Sequence, residues 1–104
     1  VSGFRIEPGV ARQLDEIYDY TRNKWGPVQA ERYSRGLFES FQAIANQALA
    51  SRSIPVHFGV DGQYCRYEQH FIYWKRRSDG LIAILAVLHV RMSQQSRLRL
   101  EQEP

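Results

Sequence analysis

The stretch that decides the fold is His70-Phe71-Ile72-Tyr73-Trp74-Lys75-Arg76, then Arg77-Ser78-Asp79-Gly80, then Leu81-Ile82-Ala83-Ile84-Leu85-Ala86-Val87-Leu88-His89-Val90. Its first part is rich in aromatic and β-branched side chains, which fit the pleated, half-buried surface of a strand. Its middle carries Asp79-Gly80, a dipeptide suited to a tight hairpin turn. Its last part is apolar at nearly every position, and a strand apolar on both faces belongs in the interior of its sheet. The stretch therefore reads as a β-hairpin whose second strand is central. The apolar run Leu81 to Leu88 is about 8 residues long, far short of the ~20 a membrane-spanning helix needs, so no membrane association is expected.

Upstream, Gln63 to Tyr67 forms another strand signal, joined to His70 by the short link Glu68-Gln69, and Asp61-Gly62 marks the turn before it. From Ala50 to Val60 the periodicity dissolves, and Ser51, Arg52, Ser53, Pro55 and Gly59 read as a loop. Before that loop, Ala30, Tyr33, Leu37, Phe41, Ile44 and Ala48 recur at helical spacing, widened by Phe38, Ala45 and Leu49, which predicts a helix from about Val28 to Ala48. A second helix is predicted from about Val10 to Lys24, with Val10, Leu14, Ile17, Tyr18 and Thr21 on one face. Trp25-Gly26-Pro27 separates the two: glycine suits a helix end and proline the first position of the next helix. Phe4-Arg5-Ile6 opens the chain as a short strand ended by Glu7-Pro8-Gly9. After Val90 a short helix starting near Ser93 is expected, with Glu101-Gln102-Glu103-Pro104 fraying.

The predicted order is β-α-α-β-β-β, an α+β fold. The last three strands form an antiparallel meander, and the helical hairpin packs on one face of a small, mainly antiparallel sheet. The first strand is expected at an edge beside the apolar strand of the meander. The opposite sheet face is expected to be open except for the short tail, and such a face invites a partner.

Composition agrees with one folded domain, residues 1–104: 43% hydrophobic and 24% charged residues exclude a disordered chain. A single cysteine, Cys65, excludes an intramolecular disulfide and a multi-cysteine metal centre. His57, His70 and His89 have no second histidine one helical turn away and no carboxylate cluster, so no metal or cofactor is expected. Fourteen Lys and Arg against eleven Asp and Glu give a net charge of +3, a lean towards acidic partners. All the basic residues but Lys24 and Lys75 are arginine, the side chain suited to bidentate contact with carboxylate and phosphate. The first residues, Val1-Ser2-Gly3-Phe4-Arg5, contain no apolar segment of a secretory leader, and a cytoplasmic location is expected.

The series Tyr18-x-Tyr20, Trp25-Gly26-Pro27-x-Gln29-Ala30-x-x-Tyr33 and Leu37-x-x-x-Phe41, followed by Gly62, Arg66, His70-Phe71-Ile72-Tyr73-Trp74-Lys75 and Ile82-x-Ile84-x-x-Val87-Leu88-His89-x-Arg91-Met92, resembles ParE toxins. These belong to the RelE/ParE superfamily of type II toxin–antitoxin systems. The resemblance covers about residues 4 to 93 and resides in the ordered series rather than in one motif. It implies the same β-α-α-β-β-β plan and a toxin that inhibits DNA gyrase by binding. It also implies a ParD-like antitoxin as partner, and contact with DNA only through that antitoxin. RelE-like relatives instead cleave mRNA on the ribosome, which gives an alternative reading.

Cleavage of RNA needs a group to take the 2′-hydroxyl proton, an acid for the leaving oxygen and cations on the phosphate. Arg66 and Arg91 supply the cations, and Tyr64 or His89 the proton handler. The RelE pattern, however, places a Tyr or His near the C-terminus and basic residues on the connecting helix. After Met92 this chain has neither Tyr nor His, and Ala43 to Leu49 contains no basic residue. The sequence thus favours a toxin that binds over one that cuts, with Arg66, Tyr73, Lys75, Arg91 and Trp25 as candidate contacts to antitoxin or target. Trp25, at the helical turn, has capping of the core as its competing role, and His89, at the end of an apolar strand, has a structural one.

Overall fold

A computed structural model describes residues 3–102. Helix α1 spans Pro8–Trp25 and helix α2 spans Pro27–Ala45. Each starts with a proline at its first position, where the missing N–H costs nothing. One residue, Gly26, joins them. Its φ of 96° is a conformation that L side chains resist, and its N–H donates to Arg22 O at 2.9 Å while its carbonyl accepts from Ala30 N at 3.1 Å. The two helices are therefore locked into an antiparallel pair by one glycine. Helix α2 stops at Ala45, short of the predicted Ala48, because Asn46 caps it and Gln47 turns left-handed at φ 57°. Ala48 and Leu49 consequently leave the helix and are exposed, and Phe38 also points outward, touching Phe41 edge-on at 5.4 Å. The buried stripe is narrower than its sequence suggests.

Five strands form one sheet: β1 (Phe4–Ile6), β2 (Arg52–Ser53), β3 (Gln63–Tyr67), β4 (His70–Arg76) and β5 (Ile82–His89), in the order β1-β5-β4-β3-β2. Strand β1 runs parallel to β5, with Phe4 opposite Ile82 and Ile6 opposite Ile84; the other pairings are antiparallel. Strand β5 is central, and Ile82 to Leu88 are all buried. Beside Tyr73 and Trp74 the register slips, because Tyr73 faces Ala86 while Trp74 faces Ile84. The extra residue, Leu85, then shares a face with Ala86, as a β-bulge requires. Beyond Ile84, β5 has no strand neighbour on its β1 side among the described residues. Gln13 of α1 reaches across that edge, and its Oε1 accepts from Val87 N at 2.7 Å. The exposed edge of a sheet is thereby closed by a side chain.

The helical hairpin packs on one face, around Val10, Leu37, Phe41, Ile72, Ile84 and Val87. The opposite face is not open, contrary to the sequence expectation. Residues 50–60 carry β2 and a single 3-10 turn, Val56–Phe58, and they lay Ile54, Phe58 and Val60 on the sheet. Helix α3 (Gln94–Gln102) adds Leu98, which is fully buried. Tyr73, Leu85 and Leu88 lie beneath this cover. The fraying expected at Glu101 and Gln102 is also corrected. Helix α3 continues through Gln102, held by Arg12 Nη2 donating to Glu101 Oε2 at 2.9 Å; Glu103 and Pro104 lie outside the described residues.

Candidate docking surface

Strands alternate their side chains, so Tyr64 and Arg66 of β3 lie on the face away from the hairpin, as do Phe71, Tyr73 and Lys75 of β4. The α3 cover ends before it reaches β3. What is left uncovered is a depression of about 640 Å³ lined by Leu49, Ser51, Arg52, Tyr64, Arg66 and Phe71 among others. Its floor is aromatic: Tyr64 meets Phe71 edge-on at 5.7 Å and tilts against Tyr73 at 5.7 Å. Its rim is cationic. The Arg66 guanidinium sits 5.9 Å from the Phe71 ring, and its Nε donates to Glu68 O at 2.7 Å. Arg52, directly across from Tyr64 in β2, brings the second guanidinium. Neither arginine forms a salt bridge among the described residues. Strand β2 spans only Gln63 and Tyr64 of its neighbour, so among the described residues the β3 backbone from Cys65 to Tyr67, paired with β4 on one side, has no strand on its outer side.

Arg52 was hidden in the sequence by its place in an aperiodic loop. Its one signal is the Arg-Ser pair ahead of Ile54-Pro55, too short to register as a strand. Tyr73, a predicted contact, is withdrawn: it is 2% exposed under α3, with its hydroxyl donating to Gln94 Oε1 at 2.8 Å. Burial pushes that phenol up to about 12, with Tyr64 adding to the shift. Lys75 lies farther along β4, beside a second shallow depression with Asp61, Gln63 and Arg76. Arg91 follows β5, exposed in the turn that leads to α3. Trp25 does not cap the core; it stands out at the tip of the helical hairpin.

On the hairpin side of the sheet is a buried polar cluster. His70 pairs with His89 across β4 and β5, and the rings meet edge-on at 5.3 Å. The Tyr33 hydroxyl lies 2.7 Å from His70 Nδ1, accepts from Gln69 N at 3.2 Å and lies 3.4 Å from Tyr67 O. The shortest of these contacts ties the phenol to the imidazole, and the tautomer of the ring decides which of the two donates. Burial, and then the neighbouring His89, hold the His70 pKa down to about 4. His89 Nδ1 in turn accepts from Arg91 N at 3.1 Å. The four groups named for RNA cleavage are thus divided by the sheet: Tyr64 and Arg66 on one face, His89 on the other, and Arg91 in the turn beyond.

The model of the family described as the ParE toxin of type II toxin–antitoxin system, parDE, matches residues 4–94. Two relatives named Toxin ParE1, from Mycobacterium tuberculosis strains CDC 1551 / Oshkosh and H37Rv, are each 29% identical over 92 residues, covering 88% of this chain and 92% of theirs. Among solved structures, a chain of the chromosomal ParDE TA system from P. aeruginosa superposes with a TM-score of 0.70 at 19% identity, covering 86% of this chain and 97% of that one. The hairpin on a five-stranded sheet is therefore shared in shape as well as in sequence, and the chain belongs to the ParE toxin family of type II toxin–antitoxin systems.

Proposed function

We propose that this ParE-type toxin acts in the cytoplasm by occupying a surface of DNA gyrase, without chemistry of its own. A ParD-like antitoxin holds it inactive by covering the Arg52–Arg66 depression. The observation that carries this reading is the division of Tyr64, Arg66, His89 and Arg91 between two faces of the sheet. A nuclease needs its base, acid and phosphate cations around one reacting phosphorus. The uncovered depression offers a docking surface instead. Two guanidiniums beside an aromatic floor suit carboxylates flanked by apolar side chains, the chemistry of an acidic peptide. Contact with DNA comes only through the antitoxin.

A supercoiling assay with purified gyrase tests the target. Inhibition or trapped cleavage by the antitoxin-free protein, relieved by the antitoxin, is the expected result. Unimpaired supercoiling in the presence of folded toxin removes gyrase as the target. For the antitoxin, Arg52→Ala with Arg66→Ala should weaken the complex about tenfold at low salt, since exposed charge pairs contribute up to ~1 kcal/mol each. The same double substitution should flatten the salt dependence of binding, because fewer charges remain to screen. Unaltered affinity and salt slope would place the antitoxin elsewhere.

A further inference from the structure

The tip of the helical hairpin lines neither the core nor the depression, yet it holds three large exposed side chains within nine residues. Tyr20 is 60% exposed, Trp25 66% and Val28 73%. Tyr33, five residues after Val28, packs at the β3–β4 turn through Gln69 and His70. At ~1.5 Å per helical residue the tip projects about 7 Å past that contact. The overhang leaves these rings without a neighbour from the sheet.

The tip is nonetheless ordered. Lys24 Nζ donates to the Tyr20 hydroxyl at 3.1 Å and stands 5.5 Å from the Tyr20 ring and 5.8 Å from the Trp25 ring, within the ~6 Å of a cation–π contact. Gly26 fixes the turn itself. The result is a rigid aromatic pair around one ammonium group, and tryptophan and tyrosine are the side chains that most often anchor protein interfaces. The local charge has one sign: between Tyr20 and Ala30 the only charged residues are Arg22 and Lys24, with Asp19 and Glu31 just outside.

We infer that the hairpin tip is the anchor by which the toxin engages its protein target, docking against an acidic surface segment that carries an apolar side chain. Trp25 and Val28 supply the apolar contact, Lys24 pairs with a carboxylate, and Tyr20 holds Lys24 in place. A compact, preordered patch at the turn between two helices suits a groove on a globular partner. A wrapping antitoxin peptide gains instead from the broader depression on the other face. The inference rests on the reading of this chain as a toxin that acts by binding, and it does not require that the target be gyrase.

The test compares the full chain with Tyr20→Ala/Trp25→Ala, Lys24→Ala and Lys24→Glu. All are expressed for growth arrest and purified for antitoxin affinity, with urea midpoints confirming that the exposed substitutions leave folding intact. Loss of two anchors should weaken target engagement about thirtyfold or more, so that growth arrest is lost at matched expression. Antitoxin affinity should stay within about threefold. Charge reversal at Lys24 should cost more than its removal. Full toxicity of the double variant overturns the inference, as does a parallel loss of antitoxin affinity, which would make the antitoxin the occupant. Equal effects of Lys24→Ala and Lys24→Glu overturn the acidic character of the partner. If the wild type arrests growth but leaves purified gyrase active, the gyrase reading fails while the growth assay still reports on the tip. A wild type that arrests nothing overturns both.

Discussion

Acid should loosen this protein at His70 as the pH falls below the ordinary histidine range. In the folded chain the ring is 9% exposed, hydrogen-bonded to Tyr33 and set edge-on against His89, with its pKa held to about 4. In the unfolded chain it returns to the ordinary ~6.5. The sign follows from which state binds the proton first. Between pH ~6.5 and ~4 the unfolded chain is protonated and the folded chain is not, so stability is full above this window and falls as pH drops through it. The whole shift corresponds to about 3 kcal/mol, and at pH 5 about 2 kcal/mol of it is already lost. Protonation fixes Nδ1 as a donor, which commits the Tyr33 hydroxyl proton to its longer contact with Tyr67 O, at 3.4 Å. Urea unfolding from pH 7.5 to 4.5 measures the effect, with His70→Gln as the reference, whose amide oxygen can still accept from Tyr33. The variant should be less stable than the wild type near pH 7 by about 1 kcal/mol and should equal or exceed it near pH 5. Parallel pH profiles for the two proteins would refute the argument.

Two further substitutions probe the close contacts behind the hairpin. Gly36→Ala on α2 should destabilise by about 1 kcal/mol or more, although alanine is the better helix former, because the new methyl would collide with the Tyr67 hydroxyl and ring. Adding Tyr67→Leu should restore part of the loss in thermal melts, whereas equal destabilisation with and without it would discount the collision. Gln13→Leu should cost about 1–3 kcal/mol by stranding the Val87 N–H on the open edge of β5, and amide exchange at Val87 should accelerate to match; an unchanged exchange rate would mean that Gln13 does not protect it.

What the sequence revealed depended on whether burial left a period. Helices α1 and α2 each bury one face, and the all-apolar Leu81 to Leu88, buried on both faces, disclosed its central place beside β1. Ile54 is buried and Phe58 and Val60 partly so, yet Pro55 and Gly59 interrupt them, so no helical or strand spacing survives to be read. With that segment and Leu98 unread, the second sheet face looked bare and Tyr73 looked available. The competing capping role of Trp25 fails for a related reason: tryptophan is usually covered, while only the overhang of the hairpin decides that this one is not. His89 could not be assigned a face, because the bulge at Leu85 shifts the alternation of every residue that follows.

The pairing of β1 with β5 also sets a clock. Phe4 and Ile82 are neighbours in space but about 80 residues apart along the chain. At the ~5–20 residues per second of protein synthesis, β1 waits several seconds for its partner. The helical hairpin, built from local contacts, can form during that wait. The sheet cannot close until β5 has been made, and Tyr33, His70 and His89 cannot meet before then. A nascent chain interrupted before β5 would carry the hairpin tip on a scaffold that has no completed core behind it. Potency is thus deferred until β5 has been synthesised, an interval in which a partner already present can capture the toxin as it folds.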